Sequence, residues 1–460
     1  MAPVTQIGTT HVGYVFYINA LGFSDSVHVL VGPADLLPGG WIRLDNKAVT
    51  VDMRNGTTAV VNVNTANFLR SFDLTYALGG TTAPDGTVLA SARHTISISP
   101  EDTLVAMAFV AAFTLFLAGL VRALSPERAR TLAALIVAFG VVLALVGIVQ
   151  KALLGDHARA QMKNYGIWKP ASLLSTTFGP YVNKNHFAGW MLMVVPLALG
   201  FAIGLAEQAL RRRGRDWRTA LLWLSSPAGG RAQLALIAAF VMAASLLMTK
   251  SRSGVGCLFV AMVLMSVAAR RRFGSARAGW AALGSLAVLF VIVFALAGAD
   301  LAARITNRMD AMELRKNIWT DSAAVIRDFP VTGTGLNTFG TAMIRYQTSQ
   351  ADQHFQEAHN DYLQVLVEGG LLVGLPALAA LVLAVRAIRR RFRAGDDDAM
   401  TYWVRAGAAT GLAAIALQAI VEFSLQMPGN AALFVVLLAI AMHGAARRRV
   451  VHEEITRGPA

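Results

Sequence analysis

The chain has 460 residues, 55% of them hydrophobic and only 15% charged, and its mean hydropathy is positive, a balance that excludes a water-facing domain of this length. The formal net charge of +14 comes largely from arginines in short clusters between apolar runs, so it reads as membrane topology and not as a nucleic-acid surface. One cysteine, Cys257, lies inside an apolar run, which excludes an intrachain disulfide framework and a cysteine-based metal site.

Met1 to Ala20 lacks the basic start and apolar stretch of a secretory signal. Further along, Val49, Val51 and Met53 alternate, Asn55-Gly56 supplies a turn, and Ala59, Val61 and Val63 alternate again, which predicts a hairpin. Asp85-Gly86 repeats the turn chemistry before the strand-like residues 95–98. Residues 1–100 therefore read as a small β-rich segment, to which no chemistry is assigned.

Crossing a hydrocarbon core of about 30 Å takes about 20 apolar residues. Nine candidate spans follow: 103–121, 132–150, 186–205, 232–248, 255–269, 278–297, 362–385, 404–420 and 431–443. Nine crossings put every basic cluster on one side: Arg122 with Arg128 and Arg130, then the arginines of 211–218, 270–277, 386–393 and 447–449. That side is the cytoplasm. Residues 1–100, 151–185, 250–253, 300–361 and 422–429 face the other way. The expected architecture is an all-α polytopic membrane domain over 101–460 after the β-rich segment. A translocated segment of this size without a signal implies either helices upstream of this chain or translocation through the first span, and the former is favoured.

Gly200 with Gly204 and Gly370 with Gly374 are small-xxx-small pairs expected to pack helices, and Pro196 and Pro376 are candidate kinks.

The chemistry is expected in the outer loop 300–361. Arg304, Arg308, Arg315, Lys316, Arg327 and Arg345 lie there among apolar residues at helical spacing, including Ile318, Ala323, Val325 and Phe329. Any one of these cations can be a solvated or headgroup-facing charge, but together, on the face that topology leaves poor in arginine, they point to an anion. Arg252, in Lys250-Ser251-Arg252-Ser253-Gly254, is either a snorkelling anchor or a phosphate contact at a surface turn.

Glu357 to Gln364 stands where the loop re-enters the membrane. Carboxylate and amide neighbours can fix the tautomer of His359 and leave one nitrogen for a substrate hydroxyl. Gly333-Thr334-Gly335 has the spacing of neither a dinucleotide fingerprint nor a P-loop. The Asp396-Asp397-Asp398 run reads as solvated charge. His354 and His359 lack zinc-ligand patterning, so neither a metal nor another cofactor is expected.

Four segments, in order, carry a resemblance: Asn183-Lys184-Asn185-His186-Phe187-Ala188-Gly189; Lys250 to Gly254; Arg315 to Trp319 leading through Phe329-Pro330-Val331-Thr332-Gly333-Thr334-Gly335; and His359-Asn360-Asp361-Tyr362-Leu363-Gln364 ending in Glu368-Gly369-Gly370-Leu371. The chain thus resembles the O-antigen ligase and polymerase family of bacterial membrane glycosyltransferases, the WaaL/Wzy type, from about Ser97 to the final span. The resemblance implies a largely helical GT-C-like fold whose outer loop caps a cavity at the periplasmic face of the bacterial inner membrane. There an undecaprenyl (polyprenyl) diphosphate-linked glycan donor meets an acceptor hydroxyl. It implies His359 as the group that activates the hydroxyl, and Arg315 and Arg252 as diphosphate-binding arginines. Asn360, Asp361, Tyr362, Arg345, Lys250, Asn185 and His186 are expected to bind substrate. Departing from the family pattern, a polar segment stands where members carry additional helices.

A metal-independent ligase passing the glycan to lipid A core leads the readings. A polymerase extending the glycan and a protein O-oligosaccharyltransferase remain open beside it. A transporter of lipid-linked glycans is the competing class, and spans nearly free of ionisable residues argue against it.

Overall fold

The computed structural model describes residues 96–154, 177–213, 217–274, 308–348, 354–395 and 397–443, together with the backbone of eight short strands within residues 6–89. Strands β1 (Gln6–Ile7), β2 (His11–Phe16), β3 (His28–Pro33), β4 (Ile42–Asp45), β5 (Ala48–Asp52) and β6 (Thr58–Asn62) form an antiparallel sheet in chain order. Within it Val49 faces Val61 and Val51 faces Ala59. Strands β7 (Thr81–Thr82) and β8 (Val88–Leu89) pair separately.

Eleven helices follow among the described residues: α1 Pro100–Ala123, α2 Pro126–Leu154, α3 Lys184–Arg213, α4 Trp217–Leu224, α5 Pro227–Met248, α6 Arg252–Phe273, α7 Arg308–Asp328, α8 Phe339–Tyr346, α9 Asp361–Ala394, α10 Ala399–Gln418 and α11 Pro428–Met442. Proline at the first turn starts α1, α5 and α11, where its missing N–H costs nothing. Ser226, Ser251, Asn360 and Asp398 cap α5, α6, α9 and α10 by accepting a backbone N–H. Gly274 and Gly395, both left-handed, end α6 and α9.

Six of these helices, α1, α2, α3, α5, α6 and α9, are long and apolar enough to cross a membrane. The chain is therefore a polytopic helical membrane protein. Of the nine expected spans, 278–297 lies outside the described residues. The segments 404–420 and 431–443 are helical, as α10 and α11, but α10 is not among the six and α11 has only 15 residues.

Helix α3 is the centre of the bundle, buried almost continuously from Phe187 to Ala198 and packed along α10 and α5. Glycines permit the α3–α10 approach, since a Cβ on Gly200 would stand 2.2 Å from the Trp403 carbonyl oxygen and one on Gly411 2.5 Å from that of Met193. By contrast α1 buries no residue, and α9 exposes Leu371, Leu372, Leu375 and Leu378, as lipid-facing surfaces do.

The basic helix ends meet at one end of the bundle. Buried Glu207 of α3 accepts from Arg211, from Arg272 of α6 and from Trp403 of α10, while Arg130 of α2 bonds Asp398 and Thr401. Here the solvated reading of the acidic run fails at Asp397, while Asp398 stays half-exposed and Asp396 lies outside the described residues. Asp397 is only 10% exposed and pairs with Arg405, itself buried inside the helix bundle, and Asp398 caps α10. Burying a guanidinium requires a carboxylate beside it, and a three-residue link is the nearest place to supply one.

At the other end, α7, α8 and the start of α9 form a layer with its own core of Ile318, Val325, Phe339, Met343, Phe355, Ala358 and Val367. It is joined to the bundle through a break in α9. Gly370 adopts φ +52° there, and the interrupted backbone is repaired by residues 330–335. The Thr334 and Gly335 N–H groups donate to Val367 and Glu368, and those of Leu371 and Leu372 donate to Pro330 and Val331, at 2.8–3.0 Å. This corrects one expectation: Gly370 breaks its helix where a packing glycine was expected, and Pro376 lies inside α9 beyond that break. A Cβ at Gly370 would lie 2.5 Å from the Val331 carbonyl oxygen, so the splice requires glycine.

Candidate active site

The polar end of the bundle converges on one carboxylate. Glu422, just after α10, is almost wholly buried. Its Oε1 accepts from Arg315 at 2.6 Å and from Asn185 Nδ2 at 2.8 Å. Its Oε2 lies 3.6 Å from His359 Nδ1, and neither of these two buried atoms has a hydrogen-bond partner. Arg315 comes from α7, Asn185 from the first turn of α3 and His359 from the turn before α9. One buried charge thus ties three elements distant in sequence.

His359 is held by its neighbours. Its own backbone is left-handed, φ +50°, a strained conformation for a residue with a side chain. The preceding Ala358 is locked on both sides: Trp319 Nε1 donates to its carbonyl at 3.0 Å, and its N–H donates to Gln364 Oε1 at 2.9 Å. The following Asn360 caps α9 by accepting the Leu363 N–H at 3.0 Å. The imidazole meets the edge of Phe423 at 4.9 Å between centroids, and His186 meets the same ring at 4.5 Å. His186 is 4% exposed, and its Nε2 has no partner.

The remaining candidates divide. Asp361 accepts from Gln426 at 3.1 Å through Oδ1, while its buried Oδ2 has no partner. Tyr362 donates its hydroxyl to the Ala416 carbonyl at 2.8 Å, which fixes α9 against the end of α10. Gly254 meets Ala188, so the N-terminal end of α6, carrying Lys250 and Arg252 at its entrance, lies against the first turn of α3. Lys250, at φ +56°, shares the left-handed backbone of His359. Arg345 is not brought to the cluster. It sits beside Tyr346, which bonds Asp328 at the far end of α7, about 20 Å along that helix from Arg315 at 1.5 Å per residue. Arg304 lies outside the described residues.

Behind the His359 turn, Gln364 Nε2 donates to Glu357 and Glu368 at 2.7 and 3.0 Å. Burial pushes the Glu357 carboxyl up to about 7, the Gln364 bond opposes the rise, and the nearby Glu368 and Asp361 carboxyls add to it.

Sequence reasoning did not select Glu422, Gln364, Phe423 or Trp319 as site residues. Glu422 carried a signal, a carboxylate at the end of an apolar run on the face that also receives His359. Gln364 and Trp319 lay inside the motif segments without a role being read for them, and Phe423 carried no signal, because these roles depend on neighbours far along the chain.

The fold and this cluster define a class: a polytopic membrane protein that holds an imidazole, a carboxylate and a guanidinium together at one end of its bundle, the functional groups of an acid–base group transfer. The family model described as O-antigen ligase matches residues 237–379, which bears out the resemblance read from the motifs. The matched stretch carries Lys250, Arg252, Arg315, His359 and the α9 break, whereas Asn185, His186 and Glu422 fall outside it. No match was found among curated proteins.

Proposed function

We propose that the protein is a glycosyltransferase that moves a glycan from an undecaprenyl diphosphate carrier to an acceptor hydroxyl at the periplasmic face of the inner membrane, as an O-antigen ligase with lipid A core as acceptor. The observation that carries this reading is the Glu422 carboxylate, bonded to Arg315 and 3.6 Å from His359 Nδ1.

The Nδ1–H of His359 directed at Glu422 keeps Nε2 as the basic nitrogen, and the gap closes to a hydrogen bond when the acceptor docks. Nε2 takes the proton of the acceptor hydroxyl as its oxygen bonds the anomeric carbon. The bond from that carbon to the diphosphate oxygen breaks, and the carrier diphosphate leaves with added negative charge. Arg315 and Arg252 are the groups proposed to stabilise that charge, which is greatest as the bond breaks, so guanidinium groups do here what a metal ion does elsewhere. Asn185, His186, Asn360, Asp361, Tyr362 and Lys250 are the residues proposed to bind substrate around these groups. The nine-span topology, with residues 1–100 and 300–361 on the outer face, belongs to the same proposal.

The test is a gel of surface and lipid-linked glycans from a host lacking the protein, complemented with the native chain or with His359→Ala. Polymer retained on the carrier with none at the surface supports the ligase, and single repeats support a polymerase. Loss of glycan from proteins alone supports an O-oligosaccharyltransferase, and unchanged glycans overturn the reading.

A further inference from the structure

A hydrogen-bond hub stands directly behind the turn that carries His359. The Ala358 N–H donates to Gln364 Oε1, and this fixes which way the Gln364 amide faces. Its Nε2 is therefore turned toward Glu357 Oε2 at 2.7 Å, Glu368 Oε1 at 3.0 Å and Gln426 Oε1 at 3.2 Å. Two amide hydrogens thus face three acceptors, two of them carboxyl groups.

Glu368 cannot swing away, because it also accepts the Asn337 N–H at 2.7 Å and the Phe339 N–H at 3.2 Å, holding the start of α8. Gln426 passes the network on to Asp361 Oδ1 at 3.1 Å. Glu357, Glu368 and Asp361 therefore gather around two glutamine amides, and the Glu422 charge also acts on Asp361.

We propose that Glu357 and Gln364 form a proton-dependent latch that positions His359: with Glu357 protonated the Gln364 amide bridges Glu357 and Glu368 and holds the Ala358 turn, and ionisation of Glu357 loosens it. The inference rests on the role given to His359 above. The physical cause is first the burial of the Glu357 carboxyl, which disfavours its charged form against the opposing pull of the Gln364 bond, and then the like charge of Glu368 and Asp361 nearby. Neither Glu357 nor Gln364 touches substrate; both act through the His359 backbone.

The direction follows from linkage. The Glu357 carboxyl is raised from 4.5 to about 7, so the fold binds this proton more tightly than the unfolded chain. Its contribution to stability is fully present below 4.5, declines as pH rises from there, and is lost above about 7. The latched fraction of folded protein falls around the upper value.

The experiment uses full-length wild type, E357Q, Q364E and H359A. Transfer of the host's own lipid-linked glycan is followed in native membranes from about pH 5 to 9, alongside the melting temperature of detergent-purified protein. Wild-type transfer is expected to fall about tenfold per pH unit above about 7. E357Q, which mimics the protonated group, removes that fall and reduces the pH dependence of melting below it. Q364E keeps the acceptor for Ala358 but adds a charge, and lowers transfer about tenfold near neutrality. H359A lowers transfer by about 10² or more while its melting temperature keeps the wild-type pH dependence. If E357Q melts with the same pH dependence as wild type, the latch is overturned. If H359A transfers glycan at the wild-type rate, the catalytic reading is overturned, so the two failures appear in different measurements.

Discussion

Both ends of the helix bundle bury carboxylates, and they treat them in opposite ways. At the basic end buried Glu207 commits both oxygens to Arg211, Arg272 and Trp403, and even half-exposed Asp398 divides its own between the α10 cap and Arg130. At the polar end, Glu422 Oε2 and Asp361 Oδ2 are the buried carboxylate oxygens without a hydrogen-bond partner among the described residues. Backbone strain divides in the same way, for Lys250, Asn337 and His359, the non-glycine residues with positive φ among those described, all belong to the polar end. A charge held only to fasten helices is best satisfied completely. One that must act on another molecule has to keep capacity in reserve, at a cost in stability that the rest of the fold carries.

That contrast is open to direct attack. The largest effect is expected at the polar end: His359→Ala should lower glycan transfer by about 10² to 10⁴, and Glu422→Gln by about 10², with both proteins reaching the membrane at normal levels. A Glu422→Gln protein with full transfer would mean that the carboxylate only fastens Arg315. The converse holds at the basic end. Glu207→Ala leaves Arg211 and Arg272 without their shared partner and should cost about 3–5 kcal/mol, seen as a lower melting temperature, while transfer per folded molecule is unchanged. Transfer lost without a change in melting would erase the distinction between the ends.

Two smaller effects sharpen it. Gly370→Ala forces a side chain into the α9 break and should cost about 1–3 kcal/mol, with faster proteolysis of residues 308–348 as the measure of a loosened layer. Asp398→Ala removes the α10 cap and its bond to Arg130, with an expected loss of about 1 kcal/mol in thermal unfolding and no change in transfer.

Much of this molecule could be read from composition and order alone. Apolar run length is a local property, so α1, α2, α3, α5, α6 and α9 fall where the expected spans do, and the meeting of Arg130, Arg211 and Arg272 at one end agrees with the sidedness read from the basic clusters. The motifs were legible as a series, and the family match over residues 237–379 agrees with the three that lie inside it.

Pairing was not legible. Nothing local to Gly333-Thr334-Gly335 or to Glu368-Gly369-Gly370 says that one segment mends the broken backbone of the other, because the need arises only when both occupy the same space. Asp397 looked solvated because its partner, Arg405, is buried by helices from elsewhere in the chain. The sequence by itself determined the membrane class, most of the helices and the residue types available for chemistry, since each depends on hydrophobicity and spacing along the chain. Only the tertiary structure decided that Arg315, Asn185 and His359 share Glu422, and that Arg345 stands apart, because a buried charge selects its partners by distance in space.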